Sequence, residues 1–202
     1  IPQAFNMPVD ASTNYAPDAL ARGEFLDVGV LKNRTVAVEP VPSSGQFRLR
    51  VLSAELQDVT SFALPGPAAR LDTVQNFVVD VDRDGRLGAA EETDQDQQGQ
   101  IRARDELFDL AFVTSGPLSE GAGCAVSIPC GELLVVDLSS VTDLAHSGSP
   151  SLLARIPLNG AAFSVEVDPV QRVAYVEVRG HGLAVVDIGS LIEAIQSGTP
   201  AL

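Results

Sequence analysis

Three segments of the chain recur in the same order, and this repetition constrains the fold more than any single motif does. Phe77–Arg86 aligns with Phe163–Arg172, 86 residues further on. Leu110–Val113 aligns with Val173–Val176 at a separation of 63, and Glu132–Leu138 with Gly182–Ile188 at 50. The order is kept while the separation shrinks, so the first copy carries two insertions. Each segment is alternating or continuously apolar over a strand's length, as in Val173-Ala174-Tyr175-Val176-Glu177-Val178, so each copy reads as three strands. Leu152–Leu158, between the copies, supplies a fourth. A four-stranded unit recurring near every 50 residues predicts an all-β chain of propeller-like antiparallel blades. The competing architecture is an irregular β-sandwich whose strands share Val-Val-Asp, and three ordered matches weigh against it.

Ala162–Ser190 resembles the bacterial propeller repeats of the YVTN and LVIVP kind. The resemblance rests on Val167-Asp168-Pro169 followed by Ala174-Tyr175-Val176, then a glycine turn and the strand Gly182–Ile188. It covers about the second half of the chain and implies a hairpin leading into a third strand. Phe47–Leu52 and Thr60–Leu64 could end an earlier blade, which gives about two blades and part of a third. Ser190–Gln196 is the best helical candidate. Two to three blades do not close a ring of the usual four or more. The chain is therefore an excerpt of a longer protein, or is completed by other copies of itself, or stacks its sheets differently. Residues 1–45 are rich in turn and linker chemistry, with short strands at Leu26–Leu31 and Thr35–Val38. They read as an extended arm or incomplete blade ahead of a β domain spanning 46–202.

The two insertions fall at 80–105 and 116–131. The first is the chemically informative one. From Asp80 to Glu106 there are nine carboxylates and four arginines, a local excess that attracts cations. Asp80-Val81-Asp82-Arg83-Asp84-Gly85-Arg86-Leu87-Gly88-Ala89-Ala90-Glu91 fits the twelve-residue calcium loop of EF-hands position by position. Asp80, Asp82 and Asp84 would each bring a carboxylate oxygen, Arg86 its backbone carbonyl, and Glu91 both oxygens. Gly85 permits the sharp turn. Asp94–Asp105 repeats the pattern more weakly, with Asp94, Asp96, Gln98, the Gln100 carbonyl and Asp105 as ligands. Phe77-Val78-Val79 before the first loop reads as a strand, so the EF-hand's pair of flanking helices is not expected. Back-to-back loops of this kind resemble the calcium-binding insertions of large bacterial surface proteins, and loosely thrombospondin type 3 and dockerin repeats. The resemblance implies that Ca2+ rigidifies a self-repelling acidic excursion.

The second insertion holds Cys124 and Cys130. Cys-x5-Cys without a nearby histidine is poor zinc spacing, and a short disulfide loop in an oxidising compartment is the better reading. Asn33-Arg34-Thr35 is a glycosylation sequon, a short and weak motif. A formal charge of −14, with Lys32 the single lysine, argues against nucleic acid as a partner. No apolar run reaches the roughly 20 residues of a membrane-spanning helix. The first residues do not form a signal peptide, so a leader has been removed or the numbering begins inside a larger protein. These features together point to an extracellular or cell-surface location.

Three functions compete. A calcium-stabilised binding or structural module, not catalytic, accounts for the most features. A self-assembling oligomer or filament would complete its sheets between chains. A calcium-dependent propeller hydrolase is the third, although the sequence has no Gly-x-Ser-x-Gly, His-Glu-x-x-His or phosphate loop. His181 reads as a turn residue in Gly180-His181-Gly182. Asp137 and Asp187 follow Val-Val in both copies, and read as a shared structural hydrogen bond rather than paired catalytic acids.

Overall fold

The computed structural model describes residues 25–41, 44, 46–79, 106–116, 131–142 and 148–196. The chain is all-β in the main, built from three successive antiparallel sheets. Sheet I is β1 (Asp27–Leu31), β2 (Arg34–Val41), β3 (Gln46–Leu52) and β4 (Asp58–Leu64). Sheet II is β5 (Ala68–Val79), β6 (Glu106–Ser115), β7 (Gly131–Asp137) and β8 (Ser151–Leu158). Sheet III is β9 (Ala162–Asp168), β10 (Val173–Val178) and β11 (Gly182–Asp187). Within each sheet the strands pair in chain order. A one-turn helix α1 (Ser139–Thr142) follows β7, and helix α2 (Ile188–Gln196) follows β11.

Sheet II lies between the other two, and its sequence shows why. Leu110, Ala111, Phe112 and Val113 are all fully buried, as are Leu133, Leu134, Val135 and Val136. A strand covered on one face alternates apolar and polar residues, whereas one covered on both is continuously apolar. Leu110, Phe112, Leu133 and Val135 pack with Val165, Val167, Ala174 and Val176 of sheet III and with Ile188 and Ile192 of α2. Ala111, Val113, Leu134 and Val136 pack with Leu31, Val36, Val38, Leu49 and Val51 of sheet I. Sheet III turns one face away from sheet II and alternates accordingly, as in Ala174-Tyr175-Val176-Glu177. In sheet I the edge strands β1 and β4 alternate, while Val36–Val38 and Leu49–Leu52 of the middle strands are buried throughout. Prolines sit where no ladder bond is lost. Pro157 lies on the edge strand β8, and Pro40 lies beyond the last β1–β2 pair.

The Val-Asp-Pro motif has a direct structural use. The Asp168 carboxylate accepts the N–H groups of Val170 and Gln171, both at 2.9 Å, and so folds the β9–β10 turn. Gly180 and Gly182 adopt positive φ on either side of His181, closing the β10–β11 hairpin.

Two expectations need correction. Sheet I takes in both Asp27–Val41 and Gln46–Leu64, and the β2–β3 pairing runs from Thr35↔Leu52 to Val41↔Gln46. A boundary at residue 45 therefore falls inside a hairpin, and the segment before it is no separate arm from Asp27 onward. The first repeat segment is also out of register. Asp72 stands opposite Phe112 as Glu166 stands opposite Tyr175, so Leu71–Val74 is the counterpart of Val165–Asp168. Phe77–Val79 belongs to an added length of β5 beyond the common sheet. A bulge between Val74 and Phe77, with Asn76 in the left-handed region, separates the two parts of the strand.

Burial on both faces should make the sheet II core the costliest place to truncate. Phe112→Ala is expected to lose about 3–5 kcal/mol in urea unfolding. Val170→Ala, at a turn position that is 88% exposed, should change stability by less than about 0.5 kcal/mol.

Candidate functional site

The added length of β5 pairs with the added length of β6, through Phe77↔Phe108, Val78↔Leu107 and Val79↔Glu106. This two-stranded stem extends past the end of β7, whose last pair with β6 is Asp137↔Leu110. It brings the two ends of the 80–105 segment onto adjacent antiparallel strands. The candidate calcium ligands Asp80, Asp82, Asp84, Arg86, Glu91, Asp94, Asp96, Gln98, Gln100 and Asp105 lie outside the described residues. What the structure places is the base from which they spring, and that base is β-strand on both sides.

The stem is anchored by a buried carboxylate that the sequence reading overlooked. Asp109 is 2% exposed. Its Oδ1 accepts the N–H of Asn76 at the β5 bulge, at 3.0 Å. Its Oδ2 meets the Lys32 ammonium at 2.6 Å and accepts the Thr142 hydroxyl of α1. Its own N–H donates to Ser139 Oγ at 3.0 Å, and its carbonyl accepts the Leu138 N–H at 2.8 Å. One residue thus ties the β1–β2 turn, the β5 bulge, β6 and α1 together. Burial pushes the Asp109 carboxyl pKa up, but the Lys32, Thr142 and Asn76 bonds more than reverse this, and the pKa lies below its ordinary value. Two signals could have exposed this site. A lone charge interrupts the apolar run around Phe108-Asp109-Leu110, and the only lysine occupies a two-residue hairpin turn at positive φ.

The repeated aspartates after Val-Val cap helices. Asp137 Oδ1 accepts the Ser139 N–H at 2.8 Å and the Ser139 hydroxyl at 2.6 Å. Asp187 accepts the Ser190 N–H at 3.0 Å and its hydroxyl at 2.7 Å. The Ser190 N–H is the main reason the Asp187 carboxyl lies below its ordinary pKa. Asp137 and Asp187 belong to different sheets, so the structure gives each its own helix to cap. Asn33 is exposed in the β1–β2 turn. Cys124 and Cys130 lie outside the described residues. The strands on either side of their loop pair at Ser115↔Glu132. Gly131 at its exit lies so close to the β8–β9 connection that a Cβ would stand 2.1 Å from the Gly160 carbonyl oxygen. Among the described residues no group of three His, Cys, Asp or Glu side chains is arranged to hold a metal.

No family model matches the chain. No curated protein matches it either. Among solved structures, hydrazine synthase of Kuenenia stuttgartiensis superimposes with a TM-score of 0.49 and 14% sequence identity. The match covers 86% of this chain and 42% of that one. A likeness this distant carries no argument about function. The chain also spans less than half the length of that relative.

The Asp109 anchor makes a pH prediction. Its native pKa is depressed, so its contribution is fully present above the unfolded value of about 3.9 and is lost as pH falls through the native value. Asp109→Asn should lower stability by about 2–4 kcal/mol near neutrality and flatten the acid limb of melting temperature against pH. An acid limb identical to that of the parent chain would show that Asp109 does not carry this linkage.

Proposed function

We propose that the chain is a calcium-stabilised, propeller-like β module of an extracellular or cell-surface protein, one that binds rather than catalyses. The observation that carries the reading is the stem. Val79 and Glu106 face each other as an antiparallel pair, so both twelve-residue acidic loops belong to one excursion closed at its base. Such an excursion concentrates like charges between two fixed ends, and its carboxylates repel one another unless a cation sits among them. Hard oxygen donors in this number and spacing suit Ca2+ better than a transition metal. Asp80, Asp82, Asp84, the Arg86 carbonyl and Glu91 would hold one ion. Asp94, Asp96, Gln98, the Gln100 carbonyl and Asp105 would hold a second, more weakly. Bound calcium supplies positive charge and fixed loop geometry. The chain's own contribution is to hold the loop ends together through the β5–β6 pairs and the Asp109–Lys32 anchor.

The propeller-like part of the reading is supported by the sheet order. Three meanders follow one another, and their first strands are nearest neighbours, β1 against β5 and β5 against β9. At extracellular millimolar calcium even a modest site is filled, and filling it stabilises the fold by mass action.

Calorimetric titration tests the reading. One or two calcium ions should bind, a chelator should lower the melting temperature, and Asp82→Ala or Glu91→Ala should abolish the tighter site. Unchanged binding in both variants would contradict the ligand set.

A further inference from the structure

The two sheet-to-sheet interfaces follow one rule. In each, a carboxylate on the first strand of one sheet accepts a backbone N–H from the first strand of the next. Asp27 of β1 accepts from Leu71 of β5 at 2.9 Å, and Asp72 of β5 accepts from Val167 of β9 at 2.7 Å. Around this latch the lower sheet presents large apolar side chains, and the upper sheet covers them. On sheet II these are Phe112, Leu133 and Val135, each fully buried beneath sheet III.

Sheet III repeats this surface with nothing among the described residues to cover it. Glu166 stands opposite Tyr175, as Asp72 stands opposite Phe112. Leu183 and Val185, the counterparts of Leu133 and Val135, are 63% and 60% exposed. They lie beside Glu177 and Tyr175 in the β10–β11 register. At the other end, Val28 and Val30 of β1 are 48% and 69% exposed on the face of sheet I turned away from sheet II. They occupy the side from which Val165 and Val167 of β9 enter the interface with sheet II. Among the described residues the outer faces of sheets I and III are therefore two unlike surfaces, and each has the residue types of one side of an interface already formed within the chain.

We propose that the open face of sheet III takes sheet I of a second copy of this chain. Leu183, Val185 and Tyr175 would cover Val28 and Val30, and Glu166 would accept a backbone N–H from the edge strand β1 of the other copy. The contact is heterologous, with one surface meeting a different one. It closes on itself with two copies, because two three-sheet stacks make six sheets, within the usual range of four to eight. The two-copy closure rests on the propeller-like reading; the pairing of the two faces rests on the latch geometry alone.

Sedimentation of the 202-residue chain in calcium tests this, with calcium binding measured on the same samples. The parent chain should run at twice its 21.1 kDa mass. Leu183→Asp and Val30→Asp should each give a folded monomer with unchanged far-UV circular dichroism, since both positions are exposed. Mixing the two variants should restore a weaker dimer, because one intact face of each remains to pair. Glu166→Gln, which keeps the side chain's shape, should weaken dimerisation about tenfold. A parent chain that stays monomeric at 100 μM or so would overturn the proposal, as would a dimer insensitive to Val30→Asp. A monomer that still binds calcium sinks the pairing and leaves the module reading standing. A dimer that binds none does the reverse.

Discussion

Burial of sheet II on both faces is the constraint from which the rest of the structure follows. A β-sheet covered on one side can stand alone with a polar outer face, but Leu110–Val113 and Leu133–Val136 leave no polar face to expose. Sheets I and III are required to cover them, and each is then left with an outer face of its own. The order in which the chain lays the sheets down keeps successive first strands adjacent, so every new sheet reaches the previous one through the same edge. The helix α2 completes the cover, its Ile188 and Ile192 filling the core between sheets II and III.

A strongly acidic chain has to place its carboxylates, and here many of them serve the backbone. Asp27, Asp72, Asp109, Asp137, Asp168 and Asp187 each accept at least one backbone N–H. They work at sheet interfaces, at a bulge, at helix starts and in a tight turn. Only Asp109 among them is buried and ion-paired, and it stands at the base of the β5–β6 stem. The stem and the core are thus joined at a point held by a charge pair rather than by packing alone.

The sequence made some of this legible and hid the rest for physical reasons. The second repeat is readable because its turns have strict chemistry: Asp168-Pro169 for one hairpin, and Gly180 with Gly182 for the next. The repetition of Val-Val-Asp correctly pointed to a shared structural bond, since Asp137 and Asp187 both cap helices. Strand β5 was misaligned because its bulge at Asn76 shifts alternation midway, and Phe77-Val78-Val79 imitates the start of the repeat. The strands of sheet I are legible one by one, at Leu26–Leu31, Thr35–Val38, Phe47–Leu52 and Thr60–Leu64. Their union is not, because Pro40-Val41-Pro42-Ser43-Ser44-Gly45 reads as a linker where it is in fact the end of β2 and a hairpin connection. The Asp109–Lys32 anchor joins residues far apart in the chain, so the lone charge in its apolar run and the single lysine are each visible locally while their meeting is not.

Hydrogen exchange resolved by residue shows whether the doubly covered sheet holds the other two in place. Amides in the middle strands of sheet II, at Phe112 and Val135, should exchange last, only through unfolding of the whole domain. Those of β1 and β11 should exchange earlier through local opening of the outer sheets. If β6 and β7 opened as readily as β11, the doubly covered sheet would not be what holds the three together.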